Sequence, residues 1–548
     1  MKVILGLNII LVILPSLYNI HVINFHSGLN EKNAIRTNDL INSKQNTYYV
    51  ASNGNSEDGL SEKNPMNYET FQTKTFISGD KILFRRGDIF YGTLEIRQTV
   101  VDNNVLTLSS YGDTKKGKPI LSCYKIVNKK ESWEKESDNI YRVDLTNLNK
   151  FSGIKDTTPE STMIGFMETK NKTKYYNLKS KLSELSELYD FCRNGTYLYV
   201  RTNGASPYEE LGELKLAPKL MLLNACSNLK VENLHIQGTG AHGIVGSRTI
   251  LENIEIVNNI IEDIGGSFLK EQVRYGNGIE FYESDVKNVK IHKNIIRNVY
   301  DVAFTIQGEK GSGTNITLTK NIFCLNSQDS EIWESSQATG VYNYVFEDNI
   351  SYMQGRGWGY LARSDKYCAG HILFWGYLFD NVIEKTDIYF KNNYVYNPKR
   401  IYFIAEQKNT SILFQKENCI KSDFNHYYMN NDSFIYRDKY SFSTRINFTQ
   451  DFNKDKNSEF ILLDKVDPNI ADKITNSYDY KELRKILVDD GGEEKKSHKS
   501  HAVLISIVVI LIIILVAAGI IIYFKFIRNI KKYTSLDKLE KINDSPLV

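Results

Sequence analysis

Between Asn228 and Asn393, short runs of alternating apolar and polar residues recur along the chain. Six of them align: NLKVENLHI from Asn228, NIEIVNNII from Asn253, NVKIHKNII from Asn288, NITLTKNIF from Asn315, NYVFEDNIS from Asn343 and DIYFKNNYV from Asp387. Each carries an asparagine near its end, at Asn233, Asn259, Asn294, Asn321, Asn349 and Asn393, with steps of 26, 35, 27, 28 and 44 residues. Alternation with a period of two predicts strands rather than helices. A base step near 27 residues with two longer insertions predicts a solenoid. One short strand cannot bury its own apolar face, but a stack of coils makes a continuous core. Asparagine tolerates the left-handed conformation of a sharp corner, and stacked asparagines can bond coil to coil. Three short strands per coil of roughly 22–28 residues, turning at asparagines, predict an all-β right-handed parallel β-helix.

A second column follows the asparagine corners. The stretches GIEF (Gly278 to Phe281), AFTI (Ala303 to Ile306), SEIW (Ser330 to Trp333) and GWGY (Gly357 to Tyr360) align. If Ile279 and Phe281 face the core, Glu280 faces out. Thr305 and Glu331 then face out on the next two coils, with Gln307 and Trp333 one step along and His242 on the preceding coil. Coils stack at the strand spacing, so Glu280 and Glu331 lie about 10 Å apart. GWGY opens the stretch RGWGYLARSDKYCAGH, Arg356 to His371, which is expected to form the next coil and a loop leaving near Arg363. Arg356, Trp358, Arg363, Asp365, Lys366 and His371 would then share one groove with Glu280, Glu331 and Trp333.

The two ends change the picture. Ala502 to Phe524 is an uncharged apolar run of 23 residues, followed by Lys525, Arg528, Lys531 and Lys532. It is long enough to cross a bilayer, and its basic flank belongs on the cytoplasmic side. The first 22 residues or so, with one lysine before an apolar run, read as a signal peptide. Together they predict a single-pass type I protein of the plasma membrane with its bulk outside the cell. Sequons at Asn171, Asn194, Asn315, Asn349, Asn409, Asn431 and Asn447 suit that topology, as a glycoprotein. The six cysteines (123, 192, 226, 324, 368, 419) form no CxxC pair, and disulfides are permitted but not readable. A net charge of +3 offers no overall field for nucleic acid.

Six stretches carry a resemblance. YYVASNGNSEDGLSEKNP (Tyr48 to Pro65), GDKILFRRGDIFYG (Gly79 to Gly92) and LTLSSYGDTKKGKPIL (Leu106 to Leu121) resemble the opening coils of pectate-lyase-like β-helix proteins. SDFNHYY (Ser422 to Tyr428), DKNSEF (Asp455 to Phe460) and VDP (Val466 to Pro468) resemble their closing coils. The organisation expected is N-terminal coils at 47–121, a β-rich insertion at 122–220, central coils at 221–406 and closing coils with a cap at 407–484. A polar stalk at 485–501, the transmembrane helix at 502–524 and a cytoplasmic tail at 525–548 complete it.

The resemblance implies a carbohydrate partner, and for acidic polysaccharides cleavage by β-elimination. A Ca²⁺ ion on Asn277, Glu280 and Glu331 would neutralise a uronate. Arg363 or Lys366 would remove the proton, with His371 assisting, while Trp333, Arg356, Trp358 and Asp365 would hold the sugar. The paired aspartates with Gly-His and Arg-Ile-Lys of polygalacturonases are absent, and so is the tryptophan-aspartate-histidine pattern of pectate lyases. Hydrolysis would need a pair of carboxyl groups about 5 or 6.5–9.5 Å apart, for which Glu280 and Glu331 are marginal. A non-catalytic surface adhesin or structural protein on the same scaffold is the alternative function.

Overall fold

The computed structural model describes residues 45–99, 103–153, 158–270, 273–308, 310–334, 337–363, 370–375, 385–405, 419–430, 434–437, 442–443, 454–463 and 482. The expected signal peptide, stalk, transmembrane helix and tail lie outside them. Among the described residues no helix is long and apolar enough to cross a membrane.

The molecule is an all-β solenoid. Three long sheets of ten, ten and nine strands run its length, and successive coils pair in parallel. Alternation sets the register as the sequence leads one to expect. Ile254, Val289, Ile316 and Tyr344 stack on one another, as do Ile261, Ile296 and Phe323. All of these are fully buried in a single core that extends from Tyr48 to Met429. The apolar residue of each rung lies on that of the next, so no coil buries its face alone.

The asparagines divide into two ladders with different physics. In the buried one, the side-chain amides of Asn259, Asn294, Asn321, Asn349 and Asn393 each donate to the carbonyl oxygen of the next, ending on Asn425. Each carbonyl oxygen also accepts a backbone N–H, as Asn321 does from Asn294. The left-handed residue is not the ladder asparagine but its predecessor: Asn258, Lys293, Lys320, Asp348 and Asn392 all have φ between 53° and 56°. Asparagine is therefore selected at these corners for its hydrogen bonds rather than for its backbone freedom. Asn233 does not belong to this ladder. Its φ is +60°, it pairs with Asn258, and Leu234 holds the ladder position. The second ladder, Asn228, Asn253, Asn288, Asn315 and Asn343, does use left-handed asparagine, with φ between 52° and 59°. Its amides stack at 2.8–3.0 Å.

Two sequons fall on these ladders. Asn349 is fully buried with its amide spent on Leu318 O and Asn393, so the folded chain offers it to no glycan. Asn171 and Asn194 are exposed.

Residues 125–218 leave the stack as two four-stranded antiparallel sheets. They dock on the solenoid flank through two half-buried cations. Lys174 Nζ bridges Glu168 of the insertion at 2.5 Å and Asp263 of the solenoid at 2.7 Å. Arg274 donates to Gly165 O (2.9 Å) and Tyr176 O (2.9 Å) of the insertion and to Gly266 O (2.6 Å) of the solenoid.

Candidate functional site

Five strands of the nine-stranded sheet carry the site: Ile244–Ser247 (β1), Ile279–Tyr282 (β2), Val302–Gly308 (β3), Gln328–Glu334 (β4) and Gly370–Trp375 (β5). Register places Val245, Glu280, Thr305, Glu331 and Leu373 in one column, and Ser247, Tyr282, Gln307 and Trp333 in the next. Ile279 and Phe281 on either side of Glu280 are in the core, so the first column faces away from it.

The carboxylates of this column are covered all the same. Glu280 is 4 % and Glu331 9 % exposed. Glu280 Oε1 accepts from Gln307 Nε2 at 2.6 Å, its Oε2 lies 2.5 Å from His242 Nδ1, which accepts the Asn277 N–H, and the Asn277 side chain also bonds it. Burial pushes its carboxyl up, but the His242 charge and these hydrogen bonds more than offset that and hold it below the usual range. Glu331 has the opposite balance. Burial and then the Asp301 charge push it up, Glu280 adds to this, and the Thr305 hydrogen bond (3.0 Å) and Arg363 oppose, leaving it at about 8. Two carboxyls on one column thus hold different protonation states at neutral pH.

Asp301 completes the constellation, and the sequence reading missed it. It stands at the corner before β3, one rung from Glu331, and its Oδ1 accepts from Arg363 Nη1 at 2.6 Å. Its side chain is 22 % exposed, against 5 % for Glu280, so it is the most accessible of the three carboxylates. The signal was present in the chain: His242, Asn277 and Asp301 occupy the polar corner before three successive strands.

The stretch that begins at Arg356 departs from the expectation. GWGY is not the next rung, and Trp358–Ala362 is a one-turn helix. The next rung is β5, which places Leu373 beside Glu331. The glycines serve close backbone approach. A Cβ on Gly357 would meet Leu325 O at 2.0 Å, and one on Gly359 would meet Tyr300 O at 2.2 Å. Trp358 is not an open platform for a sugar. It is 7 % exposed, packs on Phe166, Tyr176 and Tyr300, and donates Nε1 to Asn298 O. Arg356 bonds the Asn397 and Pro398 carbonyls, away from the column.

His371 also lies elsewhere. It is 2 % exposed, and its Nδ1 contacts Asp329 Oδ2 (2.6 Å) and Ser351 Oγ (3.0 Å). Its ring stands edge-on to Phe346 of the core. It therefore faces the solenoid interior and cannot assist at Glu331. Asp365 and Lys366 lie outside the described residues.

The proposed metal ligands do not surround one point. Asn277 and Glu280 bond each other, the Asn277 oxygen accepts the Val302 N–H, and Glu331 is held by Thr305. Among the described residues no three His, Cys, Asp or Glu groups gather to hold a metal ion. The donor nest round Glu280 does not fit a Ca²⁺ ion, which needs those same oxygens. Cys123, Cys192, Cys226 and Cys324 are present as thiols.

A scan against protein-family models finds no match, and a search of curated proteins finds none either. Among solved structures, 15 chains match. XylC in complex with xylose is 12 % identical, covers 77 % of this chain and 86 % of its own, and has a TM-score of 0.36. The GH136 lacto-N-biosidase of Eubacterium ramulus is 11 % identical over 76 % of this chain and 68 % of its own, with a TM-score of 0.32. A chain described as a glycoside hydrolase is 8 % identical over 80 % and 100 %, with a TM-score of 0.31. At such identities and scores the chemistry has to be argued from this chain's own residues.

Proposed function

We propose that the chain hydrolyses a glycosidic bond at the outward column of β2–β4. The observation that carries this reading is a set of three carboxyls on successive rungs: Glu331, pushed up to about 8 by burial, Glu280, held low by His242 and Gln307, and Asp301, the most accessible, on Arg363 at 2.6 Å. Glu331 would donate its proton to the leaving oxygen as the C–O bond breaks. Asp301, the accessible anion steadied by Arg363, would take a proton from the water whose oxygen forms the new bond to the sugar. Glu280 accepts from Gln307 at Oε1 and stands against His242 at Oε2, so its role is to stabilise the positive charge that develops on the ring. Asp301 and Glu331 come from adjacent rungs. Trp333, half-buried on the neighbouring column, offers a face to the sugar.

Hydrolysis fits better than β-elimination. Arg363 is committed to Asp301 and His371 faces the interior, so two of the three groups expected to remove a proton are occupied. The third, Lys366, is outside the described residues.

The test is cleavage of an oligosaccharide panel by the purified full-length chain and its Glu331→Gln and Asp301→Asn variants. Each variant is expected to lose at least about 100-fold in kcat/KM, the usual contribution of a general acid or base, while still folding. Variants that cleave like the parent would end the reading. A folded parent that binds a glycan but cleaves nothing would favour the non-catalytic adhesin.

A further inference from the structure

The charges facing the site point to a substrate class opposite to the one expected from the sequence. We infer that the glycan taken by this site is uncharged, because three carboxyl side chains stand at it while, among the described residues, the cations that face it are already engaged. This rests on the hydrolytic reading of the same site.

Among the described residues the cations can be followed one by one, starting with Arg248, which lies over the Tyr282 ring at 5.4 Å and is paired with Glu283 at 2.7 Å. Arg363 Nη1 is 2.6 Å from Asp301 Oδ1, and its guanidinium lies over the Tyr300 ring at 5.4 Å. Arg274 is spread over four backbone carbonyls, those of Gly165, Tyr176, Gly266 and Ala362. His242 Nδ1 is on Glu280. The two outward columns of β1–β4 hold Val245, Glu280, Thr305 and Glu331, and Ser247, Tyr282, Gln307 and Trp333, with no cation among these eight. A uronate entering beside the protonated Glu331 would bring a third carboxylate next to Glu280 and Asp301, in a region where like charges are poorly screened. To find a partner it would have to take Arg363 from Asp301, stranding the anion that handles water. Hydroxyls and ring faces meet no such conflict. Gln307 and Thr305 supply hydrogen-bonding groups, and Trp333 supplies an apolar face.

The experiment is binding by calorimetry to the full-length Glu331→Gln chain, which keeps the shape of the site. The probes are neutral gluco-, xylo-, galacto- and N-acetylated hexasaccharides, set against oligogalacturonate and oligoglucuronate hexasaccharides. At least one neutral probe is expected to bind about tenfold or more tighter than either uronate. In the Glu331→Gln, Asp301→Asn double variant, where Arg363 no longer faces the Asp301 carboxylate, that preference is expected to shrink or reverse. Uronates that bind Glu331→Gln as tightly as the best neutral probe would overturn the inference. If the parent then cleaves those uronates, and Glu331→Gln does not, the hydrolytic reading stands without it. Binding of neither class would overturn both.

Discussion

At Glu331 a single proton links catalysis to stability. The folded carboxyl keeps its proton up to about pH 8, whereas the unfolded one releases it near 4.5. Below that lower value both states are protonated and the group's contribution is fully present. As the pH rises toward 8 the folded state binds more protons than the unfolded one, so unfolding becomes easier. The melting temperature is therefore expected to fall across this window, with Asp329 and Asp455, also raised by burial, contributing in the same direction. Glu331→Gln removes one share. Its melting temperature is expected to exceed that of the parent at pH 8, by on the order of 1–3 kcal/mol in stability, and the gap should vanish near pH 4. An equal gap at both pH values would deny Glu331 this role. The same proton predicts a kcat/KM that falls as the pH passes about 8, where the acid is lost.

At the scale of elements, the ladder corners and the Arg274 clamp hold different things. Asn321 accepts the Asn294 N–H and donates to Ile291 O and Asn349, all buried. Its removal strands several backbone and amide groups, so Asn321→Ala is expected to cost about 3 kcal/mol or more. Asn315 stacks on an exposed ladder with water available to replace its bonds. Asn315→Ala should cost about 1 kcal/mol, mostly from the left-handed backbone. Equal losses in chemical denaturation would refute the distinction. Arg274 ties the insertion, the Gly266 turn and the Trp358–Ala362 helix together, and Arg363 directly follows that helix. A lysine has no planar fork to reach all four carbonyls. Arg274→Lys is therefore expected to lower stability by about 2 kcal/mol. It should also lower kcat, since Arg363 is carried by the element it frees. A variant with lowered stability but parental kcat would separate the clamp from the site.

For the whole molecule, stacking gives each coil only two neighbours, and the site lies on the flank where the insertion and the Trp358 helix are added to the repeat. The ends belong to this scale too. Ala502 to Phe524 has no charge in 23 residues and is followed at once by Lys525. A chain ending at residue 501 should be released into the medium, while the full chain stays with the membrane. Protease added to intact cells should remove the solenoid and spare the tail. A solenoid protected from that protease would overturn the orientation.

The repeat was legible in the sequence because alternation is local and is written six times. Only one register buries Phe281, Ile306 and Ile332 together, and that register also turns Glu280, Thr305 and Glu331 outward. The asparagine pattern was legible for the same reason, although which residue at each corner is left-handed was not. The repeat could not show what covers that outward face. The insertion, Arg274 and the helix at Trp358 come from segments far apart in the chain, and burial with Asp301 brought near pushes the Glu331 carboxyl up while His242 and Gln307 hold Glu280 down. Glycine and tryptophan in RGWGYLA read equally as an open platform or a tight contact, and only the neighbouring Phe166, Tyr176 and Tyr300 settle it as contact. His371 shows the same limit. A histidine after a long loop can face either side of the sheet, and the buried Asp329 drew it into the core. Local periodicity determined the rungs and their faces. Burial and charge, which depend on distant segments meeting, were decided by the tertiary structure alone.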